Sequence, residues 1–288
     1  MGVFLYLLVI VINSCNAFDI PRSSCKPNLT IDDNHYNVTH TYHVGDSFPT
    51  DAHYDDKGNL FFVEAGRNDQ GYFFNIKVIR ANSTKPQDIP GLPVGKSYSI
   101  AISKSDSKVY FGTSDGIFVY NYDTGEATLV SDPGLKLNMI FVDKDGNKYI
   151  TDSPDGVEEL YLLAGDKKIR FRSLEALDEL AVDDRNNFYY IKEEKLFVLK
   201  SDSSRAKYIG NVAYAGYAQI TFYKDNVFIA SETLTYIHEN DTGPLKLVKN
   251  IPGKVTAVAF DREGNFVLGI RGKFLKYSNS KHCNRSLN

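Results

Sequence analysis

The chain has 288 residues, a formal net charge of −3, 19 Tyr, 18 Phe and no Trp. That charge leaves no electrostatic footprint for a nucleic-acid partner. Beyond the first residues no stretch is apolar and long enough to be a membrane anchor.

The chain opens with MGVFLYLLVIVINSCNA, apolar from Val3 to Ile12 and ending in small or polar residues. It reads as a signal peptide over residues 1–17, too short to span a bilayer, although no Lys or Arg precedes the apolar stretch. The expectation is a secreted, extracellular protein whose residues 18–288 form a single domain. Removing the signal peptide removes Cys15 and leaves Cys25 and Cys283, one near each end, in a compartment where disulfides persist. Secretion also gives meaning to the sequons at Asn28, Asn37, Asn82, Asn240 and Asn284. Those at Asn82 and Asn240 lie in polar stretches between strands.

After the extended run HYNVTHTYHV (35–44), a pattern recurs: AHYDDKGNLFFVEAG at 52, then cousins at 101, 141, 181, 221 and 259. The last turn residues, Asn59, Ser107, Asn147, Asn187, Asn226 and Asn265, are spaced by roughly forty residues, the length of one four-stranded propeller blade. Within a unit the strands read, for example, as 99–102, 108–112, 116–122 and 126–131, with Asp/Ser/Gly turns between them. The only helix-like stretch is 173–180. The pattern predicts an all-β, six-bladed β-propeller. Its last repeat has three strands (255–261, 265–270 and 273–277), and residues 35–44 are expected to supply the fourth and close the ring. A Cys25–Cys283 bond would then staple the closure, contributing roughly 4–5 kcal/mol in the chain-entropy account.

Three short motifs invite chemistry and have plainer readings. Asp143-Lys-Asp145-Gly-Asn147 begins like an EF-hand calcium loop, but the sixth position is Lys148 and the twelfth is Pro154. Its flanks are β-rich, which predicts a hairpin turn. Gly112-Thr-Ser114-Asp-Gly116 spells a nucleophile elbow, but a strand follows where that device needs a helix. His35, His40 and His43 do not share one strand face, so they are not expected to hold a metal.

In a propeller, ligands gather at the central channel and its mouths. Aligning the units places Thr50, Tyr98, Asn138, Asp178, Ala218 and Thr256 just before the innermost strands. The neighbouring turns carry Glu64, Asp115, Asp152, Glu193, Glu232 and Arg271. A polar, mainly acidic mouth is expected there, with Tyr98 and Tyr217 as its aromatic members. Tyr98, Asn138, Asp178 and Arg271 are expected to contact a ligand there. Tyr217 and Thr256 complete the expected ligand-binding set.

The unit NMIFVDKDGNKYITDSPDG resembles the repeats of six-bladed propellers of the senescence-marker and gluconolactonase type. That resemblance implies a divalent metal held by a Glu, an Asn and an Asp. Asn138 and Asp178 match the last two, whereas Thr50 stands where the Glu would be. The whole mature chain, with its terminal cysteine pair and its Φ-V-D-x-x-G-N-x-Y-Φ-T-D repeats, resembles the ommochrome-binding proteins of moth and butterfly haemolymph. What this implies is a non-enzymatic carrier of a tryptophan-derived pigment or its kynurenine precursors; for such a planar zwitterion Tyr98 would stack, Asn138 would hydrogen-bond, Asp178 would meet an ammonium and Arg271 a carboxylate. A monomer without a cofactor, and with neither membrane nor nucleic acid as partner, is expected. The alternatives are a metal-dependent lactonase-like hydrolase and an extracellular protein-interaction propeller.

Overall fold

The computed structural model describes residues 28–280, apart from 132–134, 136, 154–155, 166, 240 and 242 and the side chains of 172, 173 and 175. The signal peptide, Cys25, Cys283, Asn240 and Asn284 therefore lie outside the described residues.

Six antiparallel sheets follow one another along the chain. The first contains β3 (Phe48–Tyr54), β4 (Leu60–Asn68), β5 (Gly71–Ile79) and β6 (Gln87–Asp88). The second contains β7 (Ser97–Ser103), β8 (Lys108–Thr113), β9 (Gly116–Tyr120) and β10 (Ala127–Leu129). The third contains β11 (Ile140–Val142), β12 (Lys148–Asp152), β13 (Glu159–Ala164) and β14 (Lys167–Glu175). The fourth contains β15 (Glu179–Val182), β16 (Phe188–Lys192), β17 (Lys195–Leu199) and β18 (Lys207–Asn211). The fifth contains β19 (Gln219–Tyr223), β20 (Asn226–Ser231), β21 (Thr233–His238) and β22 (Lys246–Leu247). The sixth joins both ends of the chain: β23 (Ala257–Phe260), β24 (Phe266–Ile270) and β25 (Lys273–Asn279) continue into β2 (Asn34–His43) and β1 (Leu29–Ile31). In it β2 runs antiparallel to β25, from Tyr36 opposite Asn279 to His43 opposite Lys273.

Each sheet buries both faces, which is why its strands read as continuous apolar runs rather than strict alternations. Consecutive residues serve opposite neighbours. Phe61 packs against Val109 and Phe111 of the second sheet, while Phe62 packs against Val267 and Phe274 of the sixth. Tyr189 and Tyr190 divide in the same way between the fifth and third sheets. Six such cores separate the sheets, one between each consecutive pair and one between the sixth and the first.

The turn motif is a side-chain lock. Asp143 Oδ1 accepts the N–H groups of Asp145 (3.0 Å) and Asn147 (2.9 Å), and Asn147 Nδ2 donates to Asp143 Oδ2 at 2.8 Å. Asp55–Asn59, Asp183–Asn187 and Asp261–Asn265 repeat the arrangement. The EF-hand-like run is thus one of four such Asp–Asn turns. Ser114 hydrogen-bonds its neighbour Asp115 in the tight turn between β8 and β9, so the elbow-like motif is a hairpin.

The helix-like stretch 173–180 is a correction: β14 runs to Glu175, Ala176 adopts a left-handed φ of 55°, and β15 starts at Glu179. No helix occurs among the described residues. Of the sequons described, Asn28 and Asn82 are exposed, whereas Asn37 is half-buried and donates its amide to Ser280 Oγ at 2.7 Å.

Candidate active site

The innermost strands β3, β7, β11, β15, β19 and β23 stand in a ring of neighbours, with β23 against β3. Each has one edge without a strand partner, and a buried N–H on that edge needs an acceptor. Side chains near the strand starts supply it. Asp51 Oδ2 accepts from Ile100 N at 2.6 Å, Ser99 Oγ from Ile140 N at 2.9 Å, and Gln219 Oε1 from Val258 N at 3.0 Å. Glu179 accepts from Ile220 N and also from its own neighbour Leu180 N. The equivalent residue of the third sheet is Met139, which brings no such acceptor.

Two of these side chains are carboxyl groups, and a third titratable group joins them. His53 Nε2 lies 2.7 Å from Asp51 Oδ1, with about a quarter of each side chain exposed (26% and 25%). The register of β3 on β4 slips between Thr50 and His53, and Asp51 has a left-handed φ of 42°. A bulge with strained backbone re-aims a side chain, and such features collect at functional sites. Glu179 lies deep in the protein, yet keeps part of its surface on the channel. Burial, then the charge of Asp51, push its carboxyl well above the usual carboxylate range, against the two backbone N–H groups that favour the ion. Glu179 therefore keeps its proton to higher pH than an exposed glutamate would.

These groups face a cavity of about 450 Å³ lined by all six innermost strands and the turns that follow them. Its walls include half-buried Ile102, Phe141, Val182, Phe222 and Phe260. From Asp51, Tyr98 and Glu179 it extends to hairpin turns at the strand ends, where Lys104, Lys144, Lys224 and Arg262 line it. A cavity with an apolar body and a few convergent polar groups is the usual form of a small-molecule site.

Of the residues expected to bind ligand, only Tyr98 lines this cavity. Its ring meets Phe74 edge-on at 5.4 Å, and burial, then Asp115, push its hydroxyl above the usual tyrosine range. The others are engaged elsewhere. Asn138 Nδ2 donates to Glu158 at 2.8 Å, and Asp178 accepts from Glu193 N at 2.9 Å. Tyr217 donates to Glu232 at 3.2 Å and stacks on Phe48 at 6.3 Å. Arg271 makes two bonds to Asp46, at 2.9 and 3.0 Å. Thr256 is fully buried and donates to Pro49 O at 2.6 Å, so it is closed to any ligand.

The expected set is one residue out of step. Thr50, Asn138 and Asp178 immediately precede Asp51, Met139 and Glu179, and a one-residue step in a strand turns the side chain to the other face. The available signal was an acid inside an otherwise buried, apolar strand start, as at Glu179 and Asp51. The divalent metal implied by the gluconolactonase resemblance does not fit these residues. Thr50 brings a hydroxyl, spent on Val63 O, where a carboxylate would be needed, and Asp178 is engaged by Glu193 N. Among the described residues no group of three His, Cys, Asp or Glu side chains is placed to hold a metal ion, His35, His40 and His43 included.

No protein-family model matches the sequence, and no curated protein matches it. Solved structures do. A gluconolactonase of Xanthomonas campestris is similar at a TM-score of 0.60 and 13% identity, over 87% of this chain and 91% of that one. A streptogramin B lyase is similar at 0.52 and 11%, over 85% and 98%. The WD40 β-propeller domain of Doa1 is similar at 0.57 and 13%, over 86% and 98%. These likenesses correct the expectation of a non-enzymatic protein: two structures of the same fold, the gluconolactonase and the lyase, are enzymes, so that expectation does not stand. With sheets packed about one channel, no helix among the described residues, and this similarity, the chain is an all-β protein of the β-propeller fold.

Proposed function

We propose that the protein is a secreted hydrolase that opens small cyclic esters in its central channel, on a ring of six blades closed by β2 and stapled by Cys25–Cys283. The observation that carries this reading is the convergence of Glu179 and the Asp51–His53 pair on one cavity. The fold shared with a gluconolactonase supports it, at an identity that speaks for architecture only. The comparisons offer no support for pigment carriage.

The chemistry follows from the two environments. His53, oriented by Asp51, takes a proton from a water that adds to the ester carbonyl. Collapse of the tetrahedral intermediate breaks the bond between the acyl carbon and the ring oxygen. Glu179 donates its proton to that departing oxygen, and the product is a hydroxy acid. The proton held by His53 returns through solvent. The raised Glu179 carboxyl suits the acid of this pair of roles, and the geometry of the His53–Asp51 contact suits the base.

The test is a pH-stat assay of the purified protein on a panel of five- and six-membered lactones. Glu179→Gln and His53→Ala are each expected to lower kcat by about 10²-fold or more, with the fold retained by circular dichroism. A parent protein that hydrolyses none of the panel overturns the reading.

A further inference from the structure

We propose that the channel selects by charge, taking cationic or neutral esters and turning away anionic ones, so that the substrate class is a lactone bearing an amine rather than a second acid. This rests on the hydrolase reading above.

Three of the turn aspartates, Asp55, Asp143 and Asp183, line the cavity and are almost fully buried, at 5%, 3% and 3% exposure. None has an ion-pair partner among the described residues. Hydrogen bonds from their own turns fix them in place: Asp55 Oδ1, for example, accepts from Lys57 N at 2.9 Å and Asn59 N at 2.8 Å. Asp51 adds a further carboxylate deeper in the channel. The cations on the lining offset this poorly. Lys104 is paired with Asp184 and Arg262 with Asp56. Lys144 and Lys224 lie on exposed turns, where water screens them, and Lys224 lies over the Tyr223 ring at 5.2 Å.

Buried charges of one sign in a low-dielectric cleft focus the field inward and concentrate the counter-ion there. The same field acts on the product. Ring opening adds a carboxylate, so a cationic lactone becomes a net-neutral zwitterion that the aspartates attract less than the substrate, and one charge arrangement serves both admission and release.

The experiment compares three lactones of one ring size: α-amino-γ-butyrolactone, γ-butyrolactone and γ-carboxy-γ-butyrolactone. At low salt kcat/KM is expected to fall from the first to the last by about tenfold or more, the gap narrowing as salt is added. Asp143→Asn and Asp183→Asn keep Oδ1 for the backbone N–H groups of the turn but lose the Oδ2 that accepts from the Asn147 and Asn187 amides; with the fold checked by circular dichroism, each is expected to narrow the ratio of kcat/KM between the cationic and the anionic lactone. An anionic lactone used as well as the cationic one overturns the proposal. Glu179→Gln separates the two claims, because Gln reproduces the uncharged side chain while removing the acid. Calorimetry on that variant with butylammonium and butyrate should show binding of the cation only. Equal binding of both probes overturns charge selection; a retained preference in a parent that hydrolyses nothing supports it and overturns the hydrolase reading alone.

Discussion

Lys104, on the turn after β7, donates its ammonium to both carboxylate oxygens of Asp184, on the turn after β15, at 2.7 and 2.8 Å. The pair joins the second and fourth sheets past the turn of the third, and both residues line the cavity. With 66% and 74% of the side chains exposed, an ion pair of this kind contributes only about 0–1 kcal/mol. Its consequence is for access rather than stability. Asp184→Ala should leave the melting temperature nearly unchanged while speeding alkylation of His53 by 4-bromophenacyl bromide, followed by peptide mass spectrometry. Added salt should speed the parent and not the variant. Equal rates in both proteins would show that the pair does not obstruct the channel.

Glu179 makes stability depend on pH. Its folded carboxyl is raised above the unfolded value, so the folded state binds the proton more tightly than the unfolded state. That contribution is fully present below the unfolded value near 4.5 and is lost as pH rises through the raised folded value. Glu179→Gln, which cannot ionise, should lose less stability than the parent over this interval. Urea titrations at a series of pH values check it, and parallel curves for the two proteins would contradict the assignment. Turnover should fall over the same upper range as the acid gives up its proton.

Asp143 is 3% exposed and serves two backbone N–H groups, the Asn147 amide and the Tyr149 hydroxyl. Asp143→Ala leaves those donors without their acceptor and should cost about 1–3 kcal/mol. The Tyr149 hydroxyl is pushed up to about 12 by burial, then by Asp143, so the variant should also ionise this tyrosine at lower pH, seen in the ultraviolet phenolate band. Calcium should raise the melting temperature of neither protein; a strong rise in the parent alone would restore the calcium-loop reading.

Phe266 is fully buried where the two ends of the chain meet. It packs edge-on to Tyr36 of β2 at 4.9 Å and stacks on Tyr277 of β25 at 5.0 Å. Phe266→Ala should cost about 3–5 kcal/mol, measured by chemical denaturation. Hydrogen exchange should quicken first in β1 and β2. A loss below about 1 kcal/mol would mean that this junction is not a cooperative part of the fold.

The Cys25–Cys283 bond is tested by mass spectrometry of a non-reduced digest. The two peptides are expected to appear linked, and reduction should lower the melting temperature. Two free thiols in the purified protein would remove the staple and leave the joining of the first and last strands to the pairing of β2 with β25.

The sequence by itself determined the repeat, because a local rule writes it. An Asp accepting from the N–H group four residues on, and in Asp55, Asp143 and Asp183 also two residues on, with an Asn closing the loop, needs nothing beyond five residues, so Asp55, Asp143, Asp183 and Asp261 mark their turns wherever the chain goes. The extended run 35–44 was legible as the missing strand because the last repeat was one strand short, and β2 takes that place beside β25. The site was decided only by tertiary structure. Whether residue 50 or 51 faces the channel depends on a bulge between Thr50 and His53 that no local pattern announces. Asp51 and Glu179 act on one another because the first and fourth sheets meet across a cavity, and the pressure of the Asp51 charge on the Glu179 proton exists only once folding has buried Glu179 beside it. The stretch 173–180 shows the same division from the other side. Its helical spacing is a weak local preference, and pairing of β14 with β13 and of β15 with β16 overrides it, because a sheet satisfies backbone groups that a short isolated helix would leave to solvent.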